Sequence, residues 1–148
     1  MSDKIILLVE DDPDDETLIL LALRKGNVAN DVVIVRDGAE ALDYLHSTGR
    51  YAARNASDMP TVVLLDLKLP KVDGLEVLRR LRADTRTKLL PVIILTSSKL
   101  EQDLTASYSL GANSYIRKPV DFDKFSEAVR QLKLYWLVLN EPPPRTSA

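Results

Sequence analysis

Four acidic side chains stand directly after apolar runs of this chain, at points where buried strands would end. Glu10, Asp11 and Asp12 follow the first run, and Asp66 follows the third. If those two strands are neighbours, the four carboxylates face one another and repel, so the group needs a compensating cation. Carboxylate oxygens are the hard ligands that Mg²⁺ prefers. The residues therefore predict a divalent-cation site at the strand ends.

Two other polar residues follow later apolar runs. Thr96 comes at the end of the fourth run, and Lys118 follows the fifth. In an open α/β sheet, ligands bind outside the carboxyl ends of the strands, so both side chains are candidates for the same site. Plainer interpretations stay open: Asp12 before Pro13 is typical of a helix N-cap, and Lys118 by itself could form an ion pair that ties two loops together.

Five short apolar runs alternate with segments of helical period. Runs without polar alternation are typical of strands that are covered on both faces, as in a parallel sheet. Strands that alternate with helices predict right-handed crossovers and an open, doubly wound (βα)5 architecture with a five-stranded parallel sheet. The predicted strands cover residues 5–9, 32–35, 62–65, 92–95 and 114–116.

The helices are indicated by periodic leucines and by capping residues. The third helix has an apolar face and a basic face that we expect to be solvated, with leucines at 75, 78 and 81 and arginines at 79, 80 and 82. Ser98–Glu101 has the spacing of a capping box that opens the fourth helix. Asp73–Gly74 suits a turn with an unusual backbone angle. His46 has no serine or cysteine partner at a strand end and is predicted to be a plain surface residue.

Composition bounds the class of protein. The 148 residues contain no cysteine, which excludes disulfides and zinc–thiolate sites. The net charge is −2 and there is no basic run, so direct nucleic-acid binding is not expected. No apolar run reaches the roughly 20 residues of a membrane span. We expect one domain, in a protein that is cytoplasmic and not bound to a membrane.

Taken together, five motifs make the chain resemble the receiver domain of two-component response regulators. Their order and spacing match from residue 5 to about residue 133, most of the chain. The resemblance implies a CheY-like, flavodoxin-like fold. The motifs are Val9–Asp12, Leu64–Pro70, Asp73–Gly74, Leu95–Ser97 and Lys118–Pro119.

The resemblance implies a role for each matching position around the metal. Asp66 would be the phosphoacceptor and would also bind Mg²⁺. Asp11 would be the direct metal ligand beside it, Glu10 would act through metal-bound water, and the backbone carbonyl of Lys68 would complete the protein's share of the coordination.

It also implies how the phosphoryl group would be sensed. Thr96 and Lys118 would contact the phosphoryl oxygens. Tyr115 would then change its orientation as Thr96 moves, which makes the pair a conformational switch. The phosphodonor histidine would belong to a partner, a sensor histidine kinase, because His46 is not placed to serve.

Two rival functions are weighed against this one. A phosphatase of the haloacid dehalogenase type also uses an aspartate after a strand, but it needs a second acid two residues later, where this chain has Lys68. A non-phosphorylated interaction module on the same scaffold would tend to lose an acid, the threonine or the lysine. All are present here, so phosphorylation is favoured.

The end of the chain carries a narrower resemblance. The last helix is predicted to extend through Tyr135, Trp136, Leu137 and Val138, which are apolar on every side and so indicate an interface, most simply that of a homodimer. This extension resembles the small single-domain response regulators that pair with phytochrome-type histidine kinases of cyanobacteria, which would place the chain in light signalling. The receiver domain is expected to span residues 1–140, with a flexible tail at 141–148.

Overall fold

Helices and strands alternate along the chain. The computed structural model describes residues 5–25, 31–55, 58–118 and 122–132, without the side chains at 128, 129, 131 and 132. The strands are β1 (Ile5–Val9), β2 (Asp31–Val35), β3 (Val62–Leu65), β4 (Val92–Thr96) and β5 (Ser114–Arg117). The α-helices are α1 (Pro13–Lys25), α2 (Gly38–His46), α3 (Gly74–Ala83), α4 (Glu101–Ser109) and α5 (Phe122–Leu132), and a short 3-10 helix covers Gly49–Tyr51.

The strands form one parallel sheet in the order β2-β1-β3-β4-β5. This confirms the predicted (βα)5 doubly wound fold. Three strands are a residue longer than expected, since β2 begins at Asp31, β4 ends at Thr96 and β5 ends at Arg117. The predicted extension of the last helix lies outside the described residues. No helix within the described ranges is long and apolar enough to cross a bilayer.

Both faces of the sheet are buried, which explains the apolar runs without alternation. Successive strand residues point to opposite faces, so β1 and β3 each contribute to two cores. One core lies against α2 and α3 and includes Leu7, Val9, Val63 and Leu65. The other lies against α1 and α5 and includes Ile6, Leu8, Val62 and Leu64.

The strand order creates a crevice between β1 and β3. From β1 the chain moves outward to β2, and then it returns to the other side of β1 to form β3. The connections after β1 and β3 therefore diverge to opposite faces of the sheet, and this switch point is where open α/β sheets bind ligands. Glu10 and Asp66 begin the two diverging connections.

The prediction that Arg82 faces solvent is wrong. Its side chain turns under the end of α3 and is half-buried. Its guanidinium donates to the carbonyl of Leu90 at 2.8 Å and to that of Gly111 at 2.7 and 3.1 Å. Helical period alone cannot identify this role, because the carbonyls belong to loops that come later in the chain. Arg82 ties α3 to the loops that precede β4 and β5.

We expect Arg82→Met to lower the free energy of unfolding by about 1–3 kcal/mol, because it removes the donor of the part-buried hydrogen bond to the Leu90 carbonyl. Urea unfolding followed by circular dichroism measures the change. Arg80→Met is the matched control, since Arg80 is an exposed neighbour on α3 that pairs only with Glu76 among the described contacts. Equal effects of the two substitutions would mean that the hydrogen bonds from Arg82 to the loops do not stabilise the fold.

The predicted capping box at Ser98–Glu101 is also wrong. The residue that caps α4 is Leu100, and no side chain accepts a hydrogen bond there. The Ser98 hydroxyl instead donates to Asp103 at 2.5 Å and accepts from the backbone N–H of Leu100 at 3.3 Å. The serine therefore organises the loop between β4 and α4.

His46 is not a plain surface residue. It ends α2 half-buried, with Nε2 3.4 Å from a carboxylate oxygen of Asp84, the residue that caps the end of α3. The polar connection after α2 is anchored to that helix by Arg54. Arg54 donates to the carbonyl of Tyr44 at 2.9 Å, and its guanidinium carbon lies 4.1 Å from the centre of that ring.

Candidate functional site

Three carboxylates meet at the carboxyl ends of β1 and β3. Glu10, Asp11 and Asp66 each offer an oxygen, and these oxygens all lie within 4.8 Å of one another. The backbone places them: the N–H of Asp66 donates to the carbonyl of Val9 at 3.1 Å, and the N–H of Glu10 donates to that of Val35 at 3.0 Å. The sheet therefore brings together acids that are more than 50 residues apart in sequence.

The three acids differ in burial, and this difference shapes their electrostatics. The side chain of Glu10 is 1% exposed and that of Asp66 is 9% exposed, whereas Asp11 is exposed. Burial raises the pKa of Glu10 to about 7, the hydrogen bond from Lys118 opposes this rise, and the charge of Asp66 adds to it. The oxygen donor set, open on the Asp11 side, fits a hard divalent cation such as Mg²⁺.

Lys118 is the cation of the site. Its ammonium donates to Glu10 at 2.6 Å, to Asp15 at 2.9 Å and to Asp66 at 3.2 Å, and its side chain is 11% exposed. Burial by itself would lower the pKa of Lys118, but the hydrogen bonds to Glu10 and Asp15 outweigh it and raise that pKa. The plain ion pair considered from the sequence is thus a contact with three carboxylates, of which Glu10 and Asp66 belong to the acid cluster.

Asp15 is the site residue that sequence reasoning missed. It lies in the first turn of α1, three residues after Asp12, whose carboxylate accepts from the backbone N–H of Asp14 at 2.8 Å and thus caps the helix. The interpretation of Asp12 as a helix N-cap is therefore confirmed. Asp15 could have been found from its place in the sequence. A helix that begins at Pro13, just after β1, keeps its first turn close to the strand ends.

The start of α3 packs directly against Asp66. A Cβ added to Gly74 would lie 2.3 Å from the Asp66 carbonyl oxygen, so no larger residue fits without a shift. The unusual backbone angle expected for this turn is found at Lys71, with φ 68°, and not at Gly74. Asp73 caps α3 by accepting from the N–H of Glu76 at 3.0 Å. Gly74 is thus required by close approach.

Lys68 lies beside the acid through its backbone. Its N–H donates to Asp66 Oδ1 at 3.1 Å, and its side chain is exposed. The role of its carbonyl as a metal ligand stays a prediction.

Thr96 and Tyr115 lie on one face of the sheet. Ile94 pairs with Tyr115 across β4 and β5, and Thr96 follows Ile94 by two residues, so the three side chains share a side. Thr96 is fully buried, and its hydroxyl accepts from the N–H of Ser98 at 3.2 Å. The Tyr115 hydroxyl is buried and has no hydrogen-bond partner among the described residues. Pro119 and the predicted interface residues Tyr135, Trp136, Leu137 and Val138 lie outside the described ranges.

Residues 6–130 match the model of the response regulator receiver domain. The chain therefore belongs to the family of response regulator receiver domains. Among curated relatives it is 41% identical over 139 residues to the probable methanogenesis regulatory protein FilR2 of Methanothrix harundinacea, covering 94% of this chain and 87% of the relative. It is 37% identical over 134 residues to the response regulator Rcp1 of Synechocystis, covering 90% and 89%.

Solved structures of response regulators are also similar to this chain. The bacteriophytochrome response regulator AtBRR is 54% identical with a TM-score of 0.75, covering 93% of this chain and 98% of that one. The phosphorylated cyanobacterial phytochrome response regulator RcpA is 40% identical with a TM-score of 0.83, covering 97% and 100%. Rcp1 has also been solved in a Mn²⁺-bound form, with 35% identity and a TM-score of 0.81 over 95% and 99%. The chain is thus related to response regulators of phytochrome systems.

Proposed function

We propose that this chain is a response regulator that accepts a phosphoryl group on Asp66 from a sensor histidine kinase, with Mg²⁺ as cofactor. One observation carries the proposal: the Asp66 carboxylate lies 3.2 Å from the Lys118 ammonium and within the cluster that it forms with Glu10 and Asp11. A nucleophile, a fixed cation and a set of metal-binding oxygens thus meet at one strand end.

The residues account for the transfer chemistry. A carboxylate oxygen of Asp66 attacks the phosphorus, and an acyl phosphate forms as the phosphorus–nitrogen bond to the donor histidine breaks. The histidine nitrogen leaves with the electron pair. Negative charge spreads over the phosphoryl oxygens during this exchange, and Lys118 is positioned to offset it. The hydrogen bond from the Lys68 N–H to Asp66 Oδ1 orients the attacking group.

The metal would be held by oxygen ligands that the site already groups. Asp11 and Asp66 would bind it directly, the Lys68 carbonyl would add a ligand, and Glu10 would act through bound water. When bound, Mg²⁺ supplies positive charge that lets two anions approach each other. The related protein Rcp1 has been solved with Mn²⁺ bound, which supports the proposal of a divalent-cation site in this chain.

We assign the conformational switch to Thr96 and Tyr115. A buried hydroxyl without a hydrogen-bond partner costs about 1–3 kcal/mol. The Tyr115 hydroxyl has none among the described residues, so a second side-chain orientation that gave it a partner would be favoured. Thr96 would leave the N–H of Ser98 to donate its hydroxyl to a phosphoryl oxygen. The space that it leaves lies on the face of the sheet to which Tyr115 belongs.

For the partner we propose a phytochrome-type histidine kinase. The support is the identity to AtBRR and RcpA, both of which are named as response regulators of phytochromes. FilR2, a curated relative of similar identity, is named for methanogenesis and not for a phytochrome. The homodimer, the 1–140 domain boundary with its 141–148 tail and the cytoplasmic location stay predictions.

The proposed function is tested by labelling the protein with phosphoramidate or acetyl phosphate. We expect one phosphoryl group per chain, gained only with Mg²⁺ and mapped by mass spectrometry to the peptide that contains Asp66. Chelation with EDTA should abolish the gain. A label on another peptide would contradict the Asp66 assignment, and no label under any condition would favour the non-phosphorylated interaction module.

A further inference from the structure

Asp15 holds Lys118 from a helix that the proposed transfer does not otherwise use. Among the described residues the ammonium has three carboxylate partners: Glu10 and Asp66 belong to the metal-binding cluster, and Asp15 does not. The 2.9 Å contact with Asp15 is shorter than the 3.2 Å contact with Asp66. Lys118 is thus shared between the cluster and the first turn of α1.

The start of α1 fixes where Asp15 lies. Asp12 caps the helix, Pro13 begins it, and the N–H of Asp15 lies 3.4 Å from the capping carboxylate. An acid in the first turn is also favoured by the positive end of the helix dipole. Its side chain is 35% exposed, so it is neither buried in the cluster nor free in solvent.

The proposed reaction would weaken some of the contacts that Lys118 makes with the three carboxylates more than others. Asp66 loses its ionised carboxylate when it becomes an acyl phosphate, and Glu10 shares its charge with any cation that the cluster binds. Both partners would therefore attract Lys118 less strongly at the stage when its ammonium must meet the phosphoryl oxygens. Asp15 lies outside the metal-binding set and does not react, so neither event changes its contact with Lys118 directly.

We propose that Asp15 is a positioning residue, which keeps the Lys118 ammonium beside Asp66 while its other two partners are engaged. This inference rests on the proposed function. The ammonium has three N–H groups, so one can stay with Asp15 while another turns to a phosphoryl oxygen. A lysine side chain has many rotamers, and an anchor that does not change during the reaction removes part of that freedom.

The test compares Asp15→Asn with Asp14→Asn. Both remove one negative charge from the first turn of α1, but Asp14 is exposed and has no described side-chain contact with Lys118. The pair therefore separates the loss of the anchor from the loss of a charge that repels the donor. Asp15→Glu, which restores the carboxylate, is the rescue variant. Melting temperatures check that each variant folds.

Two measurements are made on each variant. The first is the initial rate of Mg²⁺-dependent labelling of Asp66 by phosphoramidate. We expect Asp15→Asn to slow it about three- to tenfold, Asp14→Asn to change it less than about twofold, and Asp15→Glu to recover most of the loss. The second is the side-chain ammonium signal of Lys118 in ¹H–¹⁵N spectra at neutral pH, assigned by its absence in Lys118→Arg. An anchored ammonium gives a sharp signal, and Asp15→Asn should broaden it.

Two results would overturn the proposal: labelling of Asp15→Asn at least as fast as that of Asp14→Asn, or an unchanged Lys118 signal in Asp15→Asn. Failure of the proposed function is a different result, in which the unsubstituted chain takes no label. In that case the ammonium signal alone still decides whether Asp15 holds Lys118.

Discussion

Asp66→Asn is expected to abolish phosphoryl labelling, with a drop of at least about a hundredfold to background. An amide oxygen is a poor nucleophile towards phosphorus, and asparagine cannot form the acyl phosphate. The shape of the side chain is conserved, and its oxygen can still accept from the N–H of Lys68. The fold should therefore persist while the reaction is lost.

Intact-protein mass spectrometry after incubation with phosphoramidate and Mg²⁺ measures the effect. Asp12→Asn is the matched control, since Asp12 is a nearby exposed acid and asparagine also caps helices well. The control should label at the rate of the unsubstituted chain. Full labelling of Asp66→Asn would remove Asp66 from its proposed role, whatever the other site residues do.

Lys118→Met is expected to slow labelling about a hundredfold or more, comparable to the loss of one preorganised donor in other active sites. Methionine has a similar reach but no charge, so nothing offsets the phosphoryl oxygens next to Asp66. The substitution should also lower the melting temperature, because Glu10 is 1% exposed and loses its 2.6 Å partner. The two effects need to be separated.

The double variant Lys118→Met with Glu10→Gln separates them. A neutral glutamine has no need of the ammonium, so the melting temperature should recover towards that of the unsubstituted chain, whereas labelling should stay slow. Initial rates from mass spectrometry and melting curves from circular dichroism provide the two readouts. Because Glu10 also belongs to the metal-binding cluster, the reference for labelling is the single variant Glu10→Gln. Labelling of the double variant as fast as that of Glu10→Gln, together with restored stability, would mean that Lys118 serves the fold alone.

Much of this architecture was predictable because its causes are local. A strand that is covered on both faces leaves a continuous apolar run, as at Ile5–Val9, and the acid after such a run must lie at the sheet edge. Parallel strands have their carboxyl ends at the same edge of the sheet. If β1 and β3 are neighbours, the sequence therefore predicts that Glu10 and Asp66 lie close together. The cap at Asp12 is equally local, because it bonds only to its own helix.

The predictions that failed concern the choice of hydrogen-bond partner. Arg82 has the spacing of a solvated helix face, yet its guanidinium donates to the carbonyls of Leu90 and Gly111. Ser98 has the spacing of a cap, yet its hydroxyl donates to Asp103. Each local pattern is compatible with more than one partner, and packing chooses between them.

The fold class, the strand positions to within a residue and the family motifs around Asp66 are predictable from the sequence alone, since these follow from periodicity and from residues close in the chain. The contact between Asp15 and Lys118, which are more than 100 positions apart, follows from the tertiary structure and not from any local pattern. That contact depends on how α1 and β5 pack around the same edge of the sheet. Hydrogen bonding within an element is encoded locally, whereas the meeting of two side chains across elements depends on the position of every layer between them.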